Sequence, residues 1–244
     1  MIAFIDSGVG GINILVECAK MYNQDFVYLA DNKNAPYGNL PKKQLEIITK
    51  NNINYLLSKY KLSAIILACN TISVCVGEKI AEQYNVPIIL TKPNINQIKK
   101  QKKSVLFFGT KNTIKNNKQI SSLIKANCCY KSLYIPNLAK LIDENINCPN
   151  KLLPLLKSKI NCKKYRDVCT VCLCCTHFKI IKKQIKKCFL QNIEFYEYEK
   201  EIAEKTLPYI NINQSKSSFN ILLTKPDKNF YVCVKNYLIK KLNT

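Results

Sequence analysis

The sequence predicts an α/β fold of two pseudo-symmetric, doubly wound parallel-sheet domains with an active site between them, and three observations point there. Short apolar runs alternate along the chain with amphipathic stretches of helical spacing. Two of the runs end on a cysteine followed by small polar residues, Cys69-Asn70-Thr71 after Ala64–Ala68 and Cys175-Thr176-His177 after Val168–Cys174. Each is preceded at a similar distance by an opening run, Ile2–Ser7 and Val105–Thr110, with Ser7 and Thr110 103 positions apart and Cys69 and Cys175 106 apart. Two related units explain that offset better than one long domain.

Taken in order, residues 2 to 6 form the first strand, and Gly8-Val9-Gly10-Gly11 turns into a helix over 12–21 with Ile12, Leu15, Val16 and Ala19 on one face. A strand over 26–30 leads to the loop 31–38, then a long helix over 41–60. Strand 64–68 delivers Cys69, a helix over 73–84 follows, and 87–90 is a short strand. The second unit repeats this order with strand 104–108, a helix over 113–126, strand 132–135, helices within 138–159 and strand 168–173. An amphipathic helix over 178–189 carries Ile181, Ile185 and Phe189 on one side, and 193–198 is the last strand of this half. After a helix over 200–207, the tail supplies strand 219–223 and helix 230–242, which return to the first unit. The expected domains are therefore 1–92 with about 206–244, and 93–205.

Strands separated by helices imply parallel sheets covered on both faces. In such sheets ligands sit at the carboxyl ends of the strands. There the sequence places Asp6-Ser7, Pro36-Tyr37-Gly38, Cys69-Asn70-Thr71, Thr110, Thr113 and Cys175-Thr176-His177, all expected to line one crevice.

Composition narrows the function classes. Among 244 residues, 47% are hydrophobic, enough for packed cores, and no apolar stretch approaches the roughly 20 residues needed to span a bilayer. Asp6 interrupts the first apolar run too early for a signal peptide, so the chain reads as cytoplasmic, with no membrane partner. Thirteen cysteines, an odd number in a chain this long, fit reduced thiols rather than a disulfide framework. Cys18, Cys75, Cys169, Cys172, Cys188 and Cys233 have apolar neighbours and read as small hydrophobes of the core.

The net charge of +22 invites a nucleic-acid partner, but Arg166 is the single arginine among 38 basic residues, whereas nucleic-acid readers use the guanidinium fork. A solvated lysine surface is the plainer reading. A zinc site built from Cys169, Cys172, Cys174, Cys175 and His177 is disfavoured because alternate residues of a strand face opposite ways and no second Cys-x-x-Cys completes four ligands. No metal is therefore expected.

Asp6-Ser7-Gly8-Val9-Gly10-Gly11, Pro36-Tyr37-Gly38, Cys69-Asn70-Thr71 and Cys175-Thr176-His177 resemble, in order and spacing, the four signature loops of the glutamate racemase family. Gly109-Thr110 with Thr113-Ile114 is similar to that family's threonine-bearing turn. The resemblance runs along nearly the whole chain, more loosely after about residue 205. It implies a cofactor-independent interconversion of L- and D-glutamate, the latter for peptidoglycan, and an assembly as a homodimer, the form common in the family.

Inversion at the alpha carbon explains two thiols, since one acid/base group is needed on each face, one as thiolate and one as thiol. A free thiol has a pKa of about 8.5, so each needs help to give up its proton. The resemblance assigns that help to Asp6 at Cys69 and to His177, the sole histidine, at Cys175. It makes Cys69 the base toward D-glutamate and Cys175 the base toward L-glutamate. Ser7, Asn70, Thr71, Thr176, Thr110 and Thr113, with the turn Pro36-Tyr37-Gly38, would hold the substrate's charged groups. The chain departs from the family's pattern at Cys174 (usually glycine), Phe178-Lys179 (Tyr-Pro), Asn34 (arginine) and Asp143 (glutamate). A racemase of another amino acid such as aspartate, or an inactive lysine-rich nucleic-acid binder on the same scaffold, are the rival readings.

Overall fold

The chain opens with β1 (Ile2–Asp6), whose five residues are all buried. Continuous burial is the signature of a strand covered on both faces. In this computed structural model, which describes residues 1–127 and 129–243, β1 is followed by α1 (Ile12–Met21), β2 (Asp25–Ala30), a 3-10 turn over Tyr37–Asn39, α2 (Lys42–Lys59) and β3 (Ala64–Leu67). Then come α3 (Asn70–Cys75), α4 (Gly77–Ala81) and β4 (Ile88–Leu90).

The second series runs α5 (Ile95–Lys100), β5 (Val105–Gly109), α6 (Lys111–Asn116), α7 (Lys118–Ala126), β6 (Tyr130–Leu133), α8 (Leu138–Glu144), α9 (Leu153–Lys159), β7 (Thr170–Cys174), α10 (Lys182–Lys186) and β8 (Glu194–Tyr196). The tail contributes α11 (Glu199–Glu204), β9 (Ser218–Leu223) and α12 (Lys228–Leu242).

The strands form two sheets, one of five in the order β4-β3-β1-β2-β9 and one of four in the order β6-β5-β7-β8. Every pairing is parallel. The chain accordingly has two doubly wound α/β units. Contacts divide it into Met1–Thr91 with the segment from Glu199 onward, and Lys92–Tyr198. The return to the first unit thus falls at Glu199 rather than near 206, because α11 packs against α1.

Each unit has its own core. In the first, Ala3, Ile5, Val27, Leu29, Ile65 and Leu67 from the sheet meet Leu45, Ile53 and Leu56 of α2. In the second, Leu106, Phe108, Val171 and Leu173 meet Leu138, Ile142, Leu156, Ile181 and Ile185 from the covering helices. Each such Val, Leu, Ile or Phe side chain contributes about 1.5–3 kcal/mol by leaving water.

Three elements differ from expectation. The helix anticipated over 73–84 starts at Asn70 and breaks at Val76 into α3 and α4. The one anticipated over 113–126 breaks at Asn117, whose side chain accepts the Ile120 N–H at 3.0 Å and so caps α7. The one anticipated over 178–189 begins as a 3-10 turn over Thr176–Ile181 before α10. Two cysteines expected in the core lie elsewhere: Cys169 is exposed and Cys233 half-buried.

Candidate active site

In a doubly wound sheet the order of strands reverses at one place, and loops there diverge to opposite faces, leaving room for a ligand. In the first unit this reversal lies between β1 and β3, since β2 continues on one side of β1 and β3 on the other. Asp6 ends β1 and Cys69 follows β3. In the second unit the reversal lies between β5 and β7. Thr110 follows β5, and Cys175 follows β7.

The two registers agree as well. Ile5 pairs with Leu67, which puts Ser7 level with Cys69, and Gly109 pairs with Cys174, which puts Thr110 level with Cys175. Each unit therefore presents a thiol and a hydroxyl at its own switch point. Both thiols are only 6% exposed.

Around Cys69 the backbone is braced from two directions. The Ala68 and Cys69 N–H groups both reach the Ile5 carbonyl, at 2.9 and 3.4 Å. Asn70 Nδ2 donates to the Thr91 carbonyl at 3.0 Å, while the Thr91 N–H donates to Ser73 Oγ at 3.0 Å and Ser73 Oγ donates to the Leu67 carbonyl at 2.7 Å. Ser73, which sequence reasoning passed over, thereby ties the turn after β3 to the chain after β4. Thr71 is buried beside it.

Asp6 is fully buried and accepts the Gly8 N–H at 2.9 Å. Ser7 is also buried. The glycine loop is pinned by Tyr28, whose hydroxyl donates to the Gly8 carbonyl at 2.7 Å. A Cβ at Gly11 would lie 2.8 Å from Ala68 Cβ and 2.9 Å from Asp6 Cβ, so only glycine lets α1 start this close to the strand tips.

The turn carrying Pro36, Tyr37 and Gly38 packs against α3, and the Ala35–Pro36 peptide is cis. Tyr37 is buried, its hydroxyl donating to Asp31 Oδ2 at 2.5 Å. Burial, and then the negative charge of Asp31, push the Tyr37 hydroxyl well above its ordinary range, with the charges of Cys69 and Asp6 adding to the effect. Tyr37, Cys69 and Asp6 thus share one electrostatic neighbourhood. Tyr37 remains a protonated donor there.

Asp31 is the residue that sequence reasoning left without a role. It is fully buried and accepts from Asn34 Nδ2 on both oxygens, at 3.0 and 2.9 Å, and from Asn52 Nδ2 at 3.2 Å. Its signal was available: Asp31 follows the apolar run of β2 just as Asp6 ends that of β1, and its N–H donates to the Asp6 carbonyl at 2.8 Å.

In the second unit, His177 is buried, with Nε2 3.2 Å from Asp143 Oδ1 on α8. The contact has the distance of an ion pair without hydrogen-bond alignment. The other ring nitrogen, Nδ1, lies 3.4 Å from Thr176 Oγ1. Asp143, where the resemblance leads one to expect a glutamate one methylene longer, still reaches the ring.

Thr110 caps α6, its Oγ1 accepting the Thr113 N–H at 3.1 Å, and the two threonine hydroxyls lie 2.9 Å apart. Phe178, at a departure from the family's pattern, packs tilted on Phe108 with ring centroids 4.7 Å apart. At Cys174, another departure, the Cβ lies 3.0 Å from where one would stand on Gly109. The glycine accommodates the extra side chain.

Cys172 and Cys174 share a strand face, their sulfurs 3.7 Å apart. Burial, with Cys174 beside it, pushes the Cys172 thiol well above its ordinary range. Among the described residues no three of His, Cys, Asp and Glu gather as a metal site, and no helix is long and apolar enough to cross a membrane.

The sheets, with their paired switch points, can be set against known proteins. No protein-family model matches the chain. A glutamate racemase of Clostridium botulinum (strain Alaska E43 / Type E3) is 31% identical over 235 residues, covering 91% of this chain and 90% of that protein. The crystal structure of glutamate racemase isoform RacE1 from Bacillus anthracis superposes with a TM-score of 0.81 at 22% identity, covering 98% of this chain and 93% of the other. An aspartate racemase from Picrophilus torridus superposes less well, with a TM-score of 0.58 over 85% of this chain and 92% of the other.

The fold, with the 31% identical relative, defines an α/β isomerase acting on amino acids, of the aspartate/glutamate racemase class. Within that class the identity and coverage decide between branches. The chain belongs to the glutamate racemase family.

Proposed function

We propose that the chain interconverts L- and D-glutamate without a cofactor, by a two-thiol deprotonation and reprotonation, and supplies D-glutamate for peptidoglycan in the cytoplasm. The observation that carries this reading is the presence of one thiol at the switch point of each sheet, Cys69 after β3 and Cys175 after β7. A carbon acid is inverted when one group removes the alpha proton from one face and another delivers a proton to the opposite face. The thiolate form of one cysteine removes the proton, and the thiol form of the other returns one. In the reverse direction the two exchange roles.

Cys69 acts as base toward D-glutamate with Asp6 as its proton partner, and Cys175 acts as base toward L-glutamate with His177. Asp143 Oδ1, 3.2 Å from His177 Nε2, faces the imidazole from α8. Ser7, Asn70, Thr71, Thr176 and the Tyr37-Gly38 backbone hold the ammonium and carboxylates, with Thr110 and Thr113 on the second unit's side. A homodimer is the assembly that accompanies this reading, and sedimentation measures it.

The test is incubation with L-glutamate in deuterated water, following D-glutamate and alpha-deuterium together. Racemization with solvent deuterium at the alpha carbon, lost in both Cys69→Ala and Cys175→Ala, is the expected result. Exchange without inversion would leave only one working thiol. Turnover of aspartate in place of glutamate would move the substrate.

A further inference from the structure

We propose that Thr224, at the tip of the tail strand β9, is a positioning residue for the Pro36-Tyr37-Gly38 turn and acts through Asp31. The proposal rests on the racemase reading above, in which that turn holds the substrate. β9 pairs in parallel with β2, from Asp25 opposite Ser218 to Ala30 opposite Leu223. The two strands end level with each other. Thr224 and Lys225 therefore emerge beside Asp31 and Asn32, although 193 residues separate each pair in sequence.

The Thr224 hydroxyl works in both directions at once, donating to Asp31 Oδ1 and accepting the Lys33 N–H at 3.2 Å. Alongside it, Asn32 clasps the tail backbone: Asn32 Oδ1 accepts the Lys225 N–H at 3.0 Å, and Asn32 Nδ2 donates to the Lys225 carbonyl at 2.9 Å. Asp31 passes this anchoring on, because its other oxygen accepts the Tyr37 hydroxyl. Asn52 of α2 closes the network with bonds of 3.2 Å to both Asp31 Oδ2 and the Tyr37 hydroxyl.

The partners named here, Asn34, Tyr37, Asn52 and Thr224, are all neutral donors. A buried carboxylate held by neutral donors depends on having each of them, and loss of one leaves it poorly compensated away from water. The loop between β2 and α2 is then free to re-pair toward solvent, and the turn moves with it. Valine keeps the shape of Thr224 but can neither donate to Asp31 nor accept from Lys33. Serine keeps both.

The experiment compares Thr224→Val and Thr224→Ser on the full chain, measuring kcat and KM for both glutamate enantiomers and amide hydrogen exchange over residues 32–40. Loss of substrate binding common to ground and transition states raises KM and spares kcat. Thr224→Val is expected to raise KM about tenfold with kcat within about twofold, and to speed exchange in that segment. Thr224→Ser is expected to restore both.

Unchanged exchange in the valine variant overturns the proposal, and so does faster exchange with an unchanged KM. A serine variant as impaired as the valine one overturns it too, since packing of the methyl would then be the cause. If Thr224→Val does not fold, Asn32→Ala, which removes the clasp on Lys225, must move KM and exchange in the same direction. A wild-type protein that turns over no amino acid sinks the racemase reading separately, and the exchange arm then decides the clamp.

Discussion

Thirteen cysteines share one chain, and burial with chemistry separates two from the rest. Burial pushes the Cys75 thiol up to about 11 and the Cys18 thiol up to about 12, so both stay protonated at neutral pH as apolar core groups. Cys69 and Cys175 instead stand just after strands β3 and β7, with Asp6 ending the neighbouring β1 and His177 two residues beyond Cys175. Replacing either with alanine removes one sulfur at a 6% exposed position, which costs about 1 kcal/mol and moves the thermal midpoint by about 2–4 °C. Turnover in both directions should fall by about 10²–10⁴-fold or more, the range of general acid/base groups. A chiral assay beside a melting curve checks both numbers, and normal turnover in either variant would end the two-thiol mechanism. On the proposed pairing of Asp6 with Cys69 and His177 with Cys175, Asp6→Asn and His177→Asn should slow the two directions unequally. Equal losses in forward and reverse rates would argue against separate proton partners.

Among the elements, α1 shows how a buried thiol becomes a pH liability. Cys18 packs in the first unit, with Thr206 of the tail as its hydrogen-bond partner, and burial outweighs that bond in setting its raised pKa. A thiol whose folded pKa is raised favours the fold fully below its unfolded pKa near 9 and ceases to do so as pH rises through its folded value near 12. Across that window Cys18 should contribute an alkaline slope of about 1.4 kcal/mol per pH unit to unfolding. Cys18→Ala should flatten the slope, whatever it costs at pH 7; denaturant titrations at pH 9, 10 and 11 measure it, and parallel curves would refute the assignment.

The same scale shows what could be read from the sequence. Among the described residues each strand overlaps the apolar run expected to form it, β6 lying two residues earlier than 132–135, and β1, β3, β5 and β7 are buried at every residue, for which a short continuous apolar run is signal enough. Helices were less legible. Phe178, Ile181, Ile185 and Phe189 are spaced 3, 4 and 4, and a 3-10 turn satisfies the first interval as well as an α-helix does. The crossing at Tyr198–Glu199 carries no glycine or proline to announce it, so α11 was read into the wrong unit. At the candidate site, Asp6, Cys69, Cys175 and His177 stand out in the sequence because each lies at or just after the end of an apolar run, and the strands do end there. Asp31 sits in an equivalent place, but its partners Asn52 and Thr224 are 21 and 193 residues away, and no local pattern links them.

Over the whole molecule, the positive charge is unevenly shared. The unit Lys92–Tyr198 carries 22 Lys and Arg against 5 Asp and Glu, a formal +17, whereas the remainder carries 16 against 11, a formal +5. Like charges confined to one compact unit repel each other and favour its expansion, and salt screens this over a Debye length of about 10 Å at 0.1 M and about 3 Å at 1 M. The pairs Lys103–Glu194, Lys131–Asp167 and Lys182–Glu197 offset little of it, because exposed ion pairs are worth about 0–1 kcal/mol each. Raising the salt from about 0.02 to 0.5 M should therefore slow amide exchange in β5, β6 and β7 more than in β1, β2 and β3. Sodium chloride is the right salt, since sulfate also strengthens apolar burial and would protect both units. Equal protection of the two sheets would mean that the lysines are far enough apart on the surface for water alone to screen them, and the charge would then have no bearing on stability.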